Sequence, residues 1–188
     1  MQKLSDASKR GRPDIVHFAL LAAYGSILGK EQRINVIVHT RNDEIITIDS
    51  SIRLPRNIER FKGLLVQLFK YKKVPPESDK PLMKMSHSSL ENLLKKLRKD
   101  HDLIIEFSVT GEHLNPEQYC NIINSALKPL LIFGAFPHGH IEKLPKELID
   151  REVAIFERGL DLFAVISHIL ANLHMYEQKH TRLENSLR

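Results

Sequence analysis

The chain begins with apolar residues at helical spacing. Between Asp14 and Ser26 one helix face is predicted to hold Ile15, Phe18, Ala19, Ala22 and Ala23. A second stripe predicts a helix that starts near Pro55 and buries Ile58, Phe61, Leu64, Leu65, Leu68 and Phe69. A third amphipathic helix is predicted over Ser89–Lys99, with Ser88 or Ser89 as its cap.

Strand patterns lie between and after these helices, and their order predicts the fold class. Alternation over Ile34–Val38, the polar turn Arg41–Asp43 and the run Glu44–Ile48 predict a hairpin. The second half alternates strands with helices: strands at Leu103–Phe107, Pro129–Phe133 and Glu152–Phe156, and helices at Pro116–Ala126 and about Leu160–Glu177. This predicts an α/β fold with a mostly parallel sheet covered by helices on both faces.

Two stretches are predicted to lie outside regular structure. Lys72–Lys84 holds Pro75, Pro76 and Pro81 and is predicted as a flexible loop. Gln178–Arg188 is polar and charged, and we expect it to be a frayed end.

Composition narrows the classes of protein that fit. At 188 residues, 42% hydrophobic and 27% charged, the chain suits one globular domain. Cys120 is the only cysteine, which argues against a disulfide framework and a thiolate metal site. No apolar stretch approaches the ~20 residues that span a bilayer, and no signal peptide is apparent, so a cytoplasmic protein is expected. The net charge of +5 favours nucleic acid only weakly, because an ordinary basic protein fits it as well.

The segment Arg10–His17, RGRPDIVH, concentrates charge at a predicted helix start. Pro13 suits the first helical turn, and the Asp14 carboxylate complements the positive end of the helix dipole. A cap alone would not need two arginines before the helix. The segment therefore indicates an anionic ligand.

Arginines also surround the second predicted helix. Arg53 and Arg56 precede Arg60, and Arg56, Arg60, Gly63 and Gln67 fall opposite the apolar stripe. Gly63 costs about 1 kcal/mol relative to alanine inside a helix, which suggests that something approaches this face closely. Arginine is also the residue that bidentate phosphate binding prefers. Anion binding is favoured, although a solvated polar face stays open as an alternative.

Glycine-bearing turns follow the three later strands, at Thr110–Gly111, Gly134–Gly139 and Arg158–Gly159. Ligands of open α/β sheets bind outside the carboxyl ends of the strands, where such turns would present main-chain groups to an adenine-type ring edge. Tight turns and helix ends explain most such glycines without a ligand. His138 and His140 lack a third ligand, and no metal site is expected.

Six motifs occur in one order along the chain: RGRPDIVH (Arg10–His17), VHT (Val38–Thr40), IRLPRNIERFKGL (Ile52–Leu64), TGEHLNP (Thr110–Pro116), FGAFPHG (Phe133–Gly139) and IFERGL (Ile155–Leu160). Together they resemble the ribosome-biogenesis pseudouridine-N1 methyltransferases, a family of the SPOUT, or α/β-knot, superfamily. The resemblance covers nearly the whole chain, and the compact size resembles the archaeal branch.

The chain departs from this family pattern in two places. Members usually carry some tens of residues, with an additional strand, before the first motif, where this chain has only Met1–Lys9. We therefore expect the N-terminal strand segment to be absent, either because the sheet lacks this edge strand or because the native protein begins before Met1. Asp161, Leu162 and Phe163 stand where small residues and a tryptophan are more usual. The family binds S-adenosylmethionine, and we therefore expect a different shape in the part of the pocket that would hold the methionine moiety.

The resemblance implies a fold, a reaction and a set of partners. The fold is one SPOUT domain over residues 1–188 with a C-terminal trefoil knot at about residues 103–177, an exception to unknotted chains. S-adenosylmethionine would be the cofactor, S-adenosylhomocysteine its product, and no metal would take part. The acceptor would be N1 of a pseudouridine in a small-subunit rRNA loop. A homodimer is implied, with no membrane or DNA partner.

The resemblance also assigns site residues. Cofactor binding falls on Thr110, Gly134, Gly139, His140, Ile141, Ile155, Phe156, Glu157, Arg158, Gly159 and Leu160. RNA binding falls on Arg53, Arg56 and Arg60, and catalysis on Arg12 and Asp14.

Asp14 is the only carboxylate of the RGRPDIVH motif, so it is the candidate base or orienter for N1–H, with Arg12 stabilising the developing anion. Asp14 could instead be a helix-start carboxylate that pairs with Arg12. The alternative function is a non-catalytic RNA-binding assembly factor that retains the knot.

Overall fold

The computed structural model describes residues 12–137, 139–141 and 144–186. Its helices are α1 (Pro13–Gly25), α2 (Ile27–Lys30), α3 (Ile58–Tyr71), α4 (Leu90–Leu97), α5 (Pro116–Ser125) and α6 (Leu162–Ser186). Its strands are β1 (Val36–His39), β2 (Glu44–Ile48), β3 (Lys73–Val74), β4 (Met83–His87), β5 (Leu103–His113), β6 (Pro129–Phe133) and β7 (Arg151–Ala154). Mixed α/β structure is confirmed.

The first half of the chain forms an antiparallel sheet with strand order β1-β2-β4-β3. The predicted hairpin is confirmed, since Val36 lies opposite Ile48 and His39 opposite Ile45. The prediction of a loop over Lys72–Lys84 is wrong at its ends, because β3 and the start of β4 fall within it. β4 has the sequence MKMSH, without a β-branched residue, and it forms by pairing with β2.

The second half forms the parallel sheet, with order β6-β5-β7. The prediction of a mostly parallel sheet is therefore correct for this half only. Phe107 of β5 pairs with Phe133 of β6 and Val153 of β7, so the carboxyl ends of the strands lie at one edge. Several helices cover this sheet through a core that includes Ile105, Tyr119, Val153 and Ile169.

β5 is longer than predicted, and its register against β7 shifts between Phe107 and Glu112. The predicted turn at Thr110–Gly111 is therefore wrong, because both residues lie within the strand. A Cβ on Gly111 would lie 2.5 Å from the backbone of Glu152 and Val153. Glycine is required there because the two strands approach so closely.

Helix α1 buries a face that differs from the predicted one. Ala19 and Ala23 are buried as predicted, but Phe18 is 49% exposed. The buried residues of α1 are His17, Ala19, Leu20, Ala23 and Tyr24. Because α1 contacts both α3 and α6, helical spacing alone could not select its buried face.

Helix α3 begins at Ile58 rather than near Pro55, because the Asn57 side chain caps it by accepting hydrogen bonds from the Glu59 and Arg60 amides. Its stripe is confirmed by the fully buried Phe61 and Leu68, whereas Phe69 is exposed.

Helix α6 continues to Ser186, so the prediction of a frayed end from Gln178 is wrong. Among the described residues, no helix is both long and apolar enough to cross a membrane.

Candidate active site

A paired acid and arginine occupy the start of α1. The Arg12 Nε donates to Asp14 Oδ1 at 3.0 Å, and its Nη2 donates to Oδ2, so the guanidinium holds the carboxylate with two hydrogen bonds. These bonds lower the pKa of Asp14 below its usual range and raise that of Arg12. Arg10 and Gly11 of the same motif lie outside the described residues. The geometry keeps Asp14 ionised and restricts where its oxygens point.

His17 fixes the start of α1 to the segment that carries Arg53, Arg56 and Arg60. Its ring is fully buried and stacks on Phe61, with centroids 4.4 Å apart. Its Nε2 lies 2.7 Å from the Pro55 carbonyl oxygen, so Nε2 carries the proton and donates it. No sequence pattern indicated a role for His17, which lies within the RGRPDIVH motif. A histidine one turn after Asp14 could have indicated a contact that positions the start of α1, but its partner, Pro55, is 38 residues away in the sequence.

The three arginines are exposed around the N-terminal end of α3. Among the residues that the structure describes, none of Arg53, Arg56 and Arg60 has an ion-pair partner. The neighbouring Glu59 pairs with Lys62 at 2.7 Å. These guanidinium groups are free to accept an anion.

Gly63 tests the prediction that something approaches the exposed face of α3. A Cβ built on Gly63 meets no atom of the described residues within 4 Å. The glycine is therefore not needed for packing within the monomer, and its face has room for an external ligand.

The turns after β6 and β7 both begin at the carboxyl edge of the parallel sheet, on either side of β5. Gly134 follows β6, and a Cβ there would lie 2.5 Å from the Phe136 ring. Gly139 has φ +101°, a conformation that favours glycine, and a Cβ there would meet no described atom within 4 Å. His140 is exposed and Ile141 half-buried, whereas His138 lies outside the described residues. Within the described residues, no cluster of potential metal ligands occurs.

The turn after β7 holds the remaining predicted cofactor residues. Ile155 is half-buried, and the next five residues are exposed: Phe156, Glu157, Arg158, Gly159 and Leu160. Among the described residues, none has an atom within 4 Å of a Cβ built at Gly159, so space is open there. The turn leads directly into α6.

Thr110 lies within β5 and not in an open turn, and its hydroxyl group already makes hydrogen bonds. It donates to Glu152 Oε1 at 2.5 Å and lies 2.8 Å from the Ser108 hydroxyl. The hydrogen bond from Thr110, followed in size by that from Lys146, lowers the pKa of Glu152. Only the main chain of Thr110 is left for a ligand without breaking this contact.

No sequence pattern indicated the lysine clamp, which Lys146 forms with Glu106 and Glu152. The Lys146 Nζ lies 2.6 Å from Glu106 Oε2 and 3.0 Å from Glu152 Oε2. Glu106 is only 3% exposed, so its charge needs this partner. The clamp ties Lys146, on the chain that leads into β7, to β5 and β7.

The Arg12–Asp14 pair lies beside the turn after β7. Phe18, one helical turn after Asp14, packs edge-on against Phe163, with ring centroids 6.3 Å apart. Phe163 follows Leu160 by three residues. Asp161 also contributes, after the larger effects of Asp14, to the raised pKa of Arg12. The structure thus brings the start of α1 close to the residues that directly follow the last motif.

Comparison with known proteins agrees with this arrangement. The model of the EMG1/NEP1 methyltransferase family matches residues 1–174. Two curated relatives, each named ribosomal RNA small subunit methyltransferase Nep1, come from Pyrococcus furiosus and Staphylothermus marinus. The first is 38% identical over 92% of this chain and 74% of the relative, and the second 36% identical over 94% and 76%.

A solved structure is also similar: Archaeoglobus fulgidus Nep1 bound to S-adenosylhomocysteine. It has a TM-score of 0.75 and 28% sequence identity, with 95% of this chain and 77% of that chain covered. The extent of these matches and the arrangement of the motifs lead to one conclusion. This chain belongs to the EMG1/NEP1 methyltransferase family.

Proposed function

We propose that this protein is an S-adenosylmethionine-dependent methyltransferase that methylates N1 of a pseudouridine in small-subunit ribosomal RNA. The observation that carries the proposal is the contact between Phe18 and Phe163, which sets the Arg12–Asp14 pair beside the turn after β7. The relatives' names, rRNA small subunit methyltransferase, support the substrate, and the S-adenosylhomocysteine in the similar structure supports the cofactor.

The residues of the two glycine turns fit such a cofactor. Gly139 and Gly159 leave main chain accessible after β6 and β7, at the carboxyl edge of the parallel sheet, which is the usual ligand-binding edge of α/β folds, whereas the Phe136 ring covers Gly134. Ile141, Ile155 and Leu160 provide apolar surface next to those main-chain groups. When bound, S-adenosylmethionine supplies an electrophilic methyl group. We assign the turns to a trefoil knot over about residues 103–177.

Asp14 is better suited to orient the acceptor than to remove its proton. A carboxylate with a lowered pKa is a weak base at neutral pH. Its oxygens can nevertheless accept a hydrogen bond from pseudouridine N1–H and aim the nitrogen at the methyl donor. Arg12 would stabilise the negative charge that develops on the ring as the proton leaves for solvent.

The arginines around α3 would hold the RNA backbone. Arg53, Arg56 and Arg60 are exposed, and no acidic residue among the described ones pairs with them. A target base in a single-stranded loop can be unstacked and turned toward Asp14 while its phosphates stay on these arginines.

A twofold dimer is part of the proposal. Phe18 and Phe163 are 49% and 45% exposed, and Phe156 and Leu160 are 51% and 46% exposed. Such apolar exposure next to a ligand-binding turn is typical of an interface. Further along α6, Ile169 and Leu173 are buried in the monomer core and are not available to a dimer contact.

Single-turnover methyl transfer tests the reaction. Labelled S-adenosylmethionine is mixed with two matched RNA loops that carry pseudouridine or uridine at the target position. Only pseudouridine has a free N1–H, since N1 of uridine is bonded to the sugar. We expect label in the pseudouridine RNA alone, and equal labelling of both RNAs would rule out N1 chemistry. Tight RNA binding without transfer would instead support the non-catalytic assembly factor.

A further inference from the structure

We propose that the protein has a second RNA contact, at the far end of α3 from the arginines, which binds single-stranded nucleotides flanking the target loop. It is an open groove lined by Tyr71, Lys72, Lys73, Ser78, Asp79 and Lys84. We call it the lysine groove. The inference rests on the proposed RNA substrate and extends it, because it names a further site and the part of the RNA that the site takes.

The charge of the lysine groove suits a polyanion. Three lysines line it against one acid, Asp79, and Lys70 and Lys80 lie next to lining residues in the chain. The Lys73 ammonium donates to the Ser78 carbonyl oxygen at 3.2 Å, and the Lys72 ammonium has only a weak contact with the Met85 sulfur at 3.7 Å. Lys84 lies near Asp49, whose pKa is lowered mainly by hydrogen bonds from Ser51. Much of the positive charge is therefore available to phosphate.

An aromatic side chain lies within this charge. Tyr71 is 48% exposed, and the Lys70 ammonium lies 5.1 Å from its ring centroid. Exposed aromatic rings beside cations are the means by which proteins bind single strands without reading sequence, because any base can stack on the ring. This combination favours single-stranded RNA over an acidic protein, which would need the charge but not the ring.

An open path joins the groove to the arginines. Arg60, Gly63, Gln67 and Tyr71 follow one another at helical spacing along α3, and all four are exposed. In the part of the chain that the structure describes, no atom lies within 4 Å of a Cβ built at Gly63. With a rise of 1.5 Å per residue, the path from Arg60 to Tyr71 is about 16 Å long. A single RNA strand can thus contact both ends of α3.

Binding assays with two RNAs test this inference. One RNA is the pseudouridine loop closed by a short stem, and the other adds a single-stranded extension at either end. The test variant is Lys70→Gln/Lys72→Gln/Lys84→Gln, which keeps the aliphatic stems and leaves Lys73 in place. Lys96→Gln/Lys99→Gln/Lys128→Gln removes the same charge from residues outside the groove and serves as the control.

We expect wild-type protein to bind the extended RNA more tightly than the loop. The groove variant should lose that gain and bind the loop normally, and its salt slope on extended RNA should flatten by roughly 0.7 for each lost phosphate contact. Tyr71→Leu should lose part of the gain with an unchanged salt slope, because it removes stacking and no charge. The control should match wild type.

Two outcomes overturn the inference while leaving the proposed function intact. In the first, the single-stranded extension adds no affinity at either end of the RNA. In the second, the groove variant and the control variant lose the same affinity for the extended RNA. The proposed function has its own readout in Arg56→Ala/Arg60→Ala, which should weaken binding of both RNAs. If wild-type protein binds neither RNA, the proposed function and the inference fall together.

Discussion

At the scale of single residues, the Arg12–Asp14 pair determines which chemistry Asp14 can perform. Two hydrogen bonds from one guanidinium lower the pKa of the carboxyl group, so it is ionised but only weakly basic at neutral pH. From sequence, the base, the orienter and the paired helix-start acid were all open. The structure shows the pair, and a bound acceptor would have to share the carboxylate oxygens with Arg12.

Asp14→Asn separates RNA binding from methyl transfer. The amide loses the charge-assisted contact with Arg12 and can present an N–H to the acceptor, so single-turnover transfer should slow by ~100-fold or more. RNA affinity should stay near wild type, because no phosphate contact is removed. The measurement pairs filter binding with labelled-methyl transfer on the same RNA, and an unchanged transfer rate would remove Asp14 from the mechanism.

Gly139 offers a second residue-scale prediction, for the cofactor. With φ +101°, it adopts a conformation that L side chains rarely take, and valine would also fill the space in front of the main chain. Gly139→Val should abolish binding of S-adenosylmethionine in calorimetry without RNA. Gly25→Ala is the matched control, since a Cβ there also meets no atom within 4 Å and lies at the end of α1. Wild-type affinity in Gly139→Val would place the cofactor elsewhere.

At the scale of elements, the sequence predicted those with strong local patterns. The hairpin, α3 and the three parallel strands follow from periodicity and were confirmed. β4 was missed because MKMSH carries little strand propensity and forms through its pairing with β2. The extension of β5 was also missed, since Thr110–Gly111 reads as a turn until β7 lies against it.

The site shows the same division between local and distant information. Motifs identified the family, which was confirmed, and supplied the candidate residues, which remain predictions. The contacts that hold those candidates in place join residues far apart in sequence. His17 reaches Pro55, and Lys146 reaches Glu106, 40 positions away. No local pattern encodes such a pair, because it exists only once the helices and sheets have packed.

Asp150 gives an element-scale prediction about pH. It accepts hydrogen bonds from Arg98, just after α4, and from the Ile104 amide of β5 at 2.7 Å, and these bonds lower its pKa from the usual 3.8. A lowered folded-state pKa stabilises the fold above pH 3.8, and that contribution disappears as pH falls through the folded-state value. Asp150→Asn should therefore reduce stability to urea at pH 7 and differ less from wild type near pH 3. A pH-independent difference would contradict this.

At the scale of the whole molecule, two lobes with separate cores meet through α1. The antiparallel lobe carries the arginines and the lysine groove, and the parallel lobe carries the glycine turns. Helix α1 contacts α3 on one side and α6 on the other. RNA and cofactor are thus assigned to different lobes, with Arg12 and Asp14 at the start of the helix between them.

The exposed apolar surface at this junction predicts the oligomeric state. Phe18 and Phe163 pack against each other and remain about half exposed, so a second copy can cover both at once. Phe163→Glu would bury a charge in that contact and should convert a dimer into a monomer in light scattering at micromolar concentration. Leu127→Glu, at a residue 97% exposed before β6, is the matched control and should stay dimeric. A monomeric wild-type mass would show that this surface has another use, and dissociation of both variants would show that added charge, not the Phe18–Phe163 surface, controls assembly.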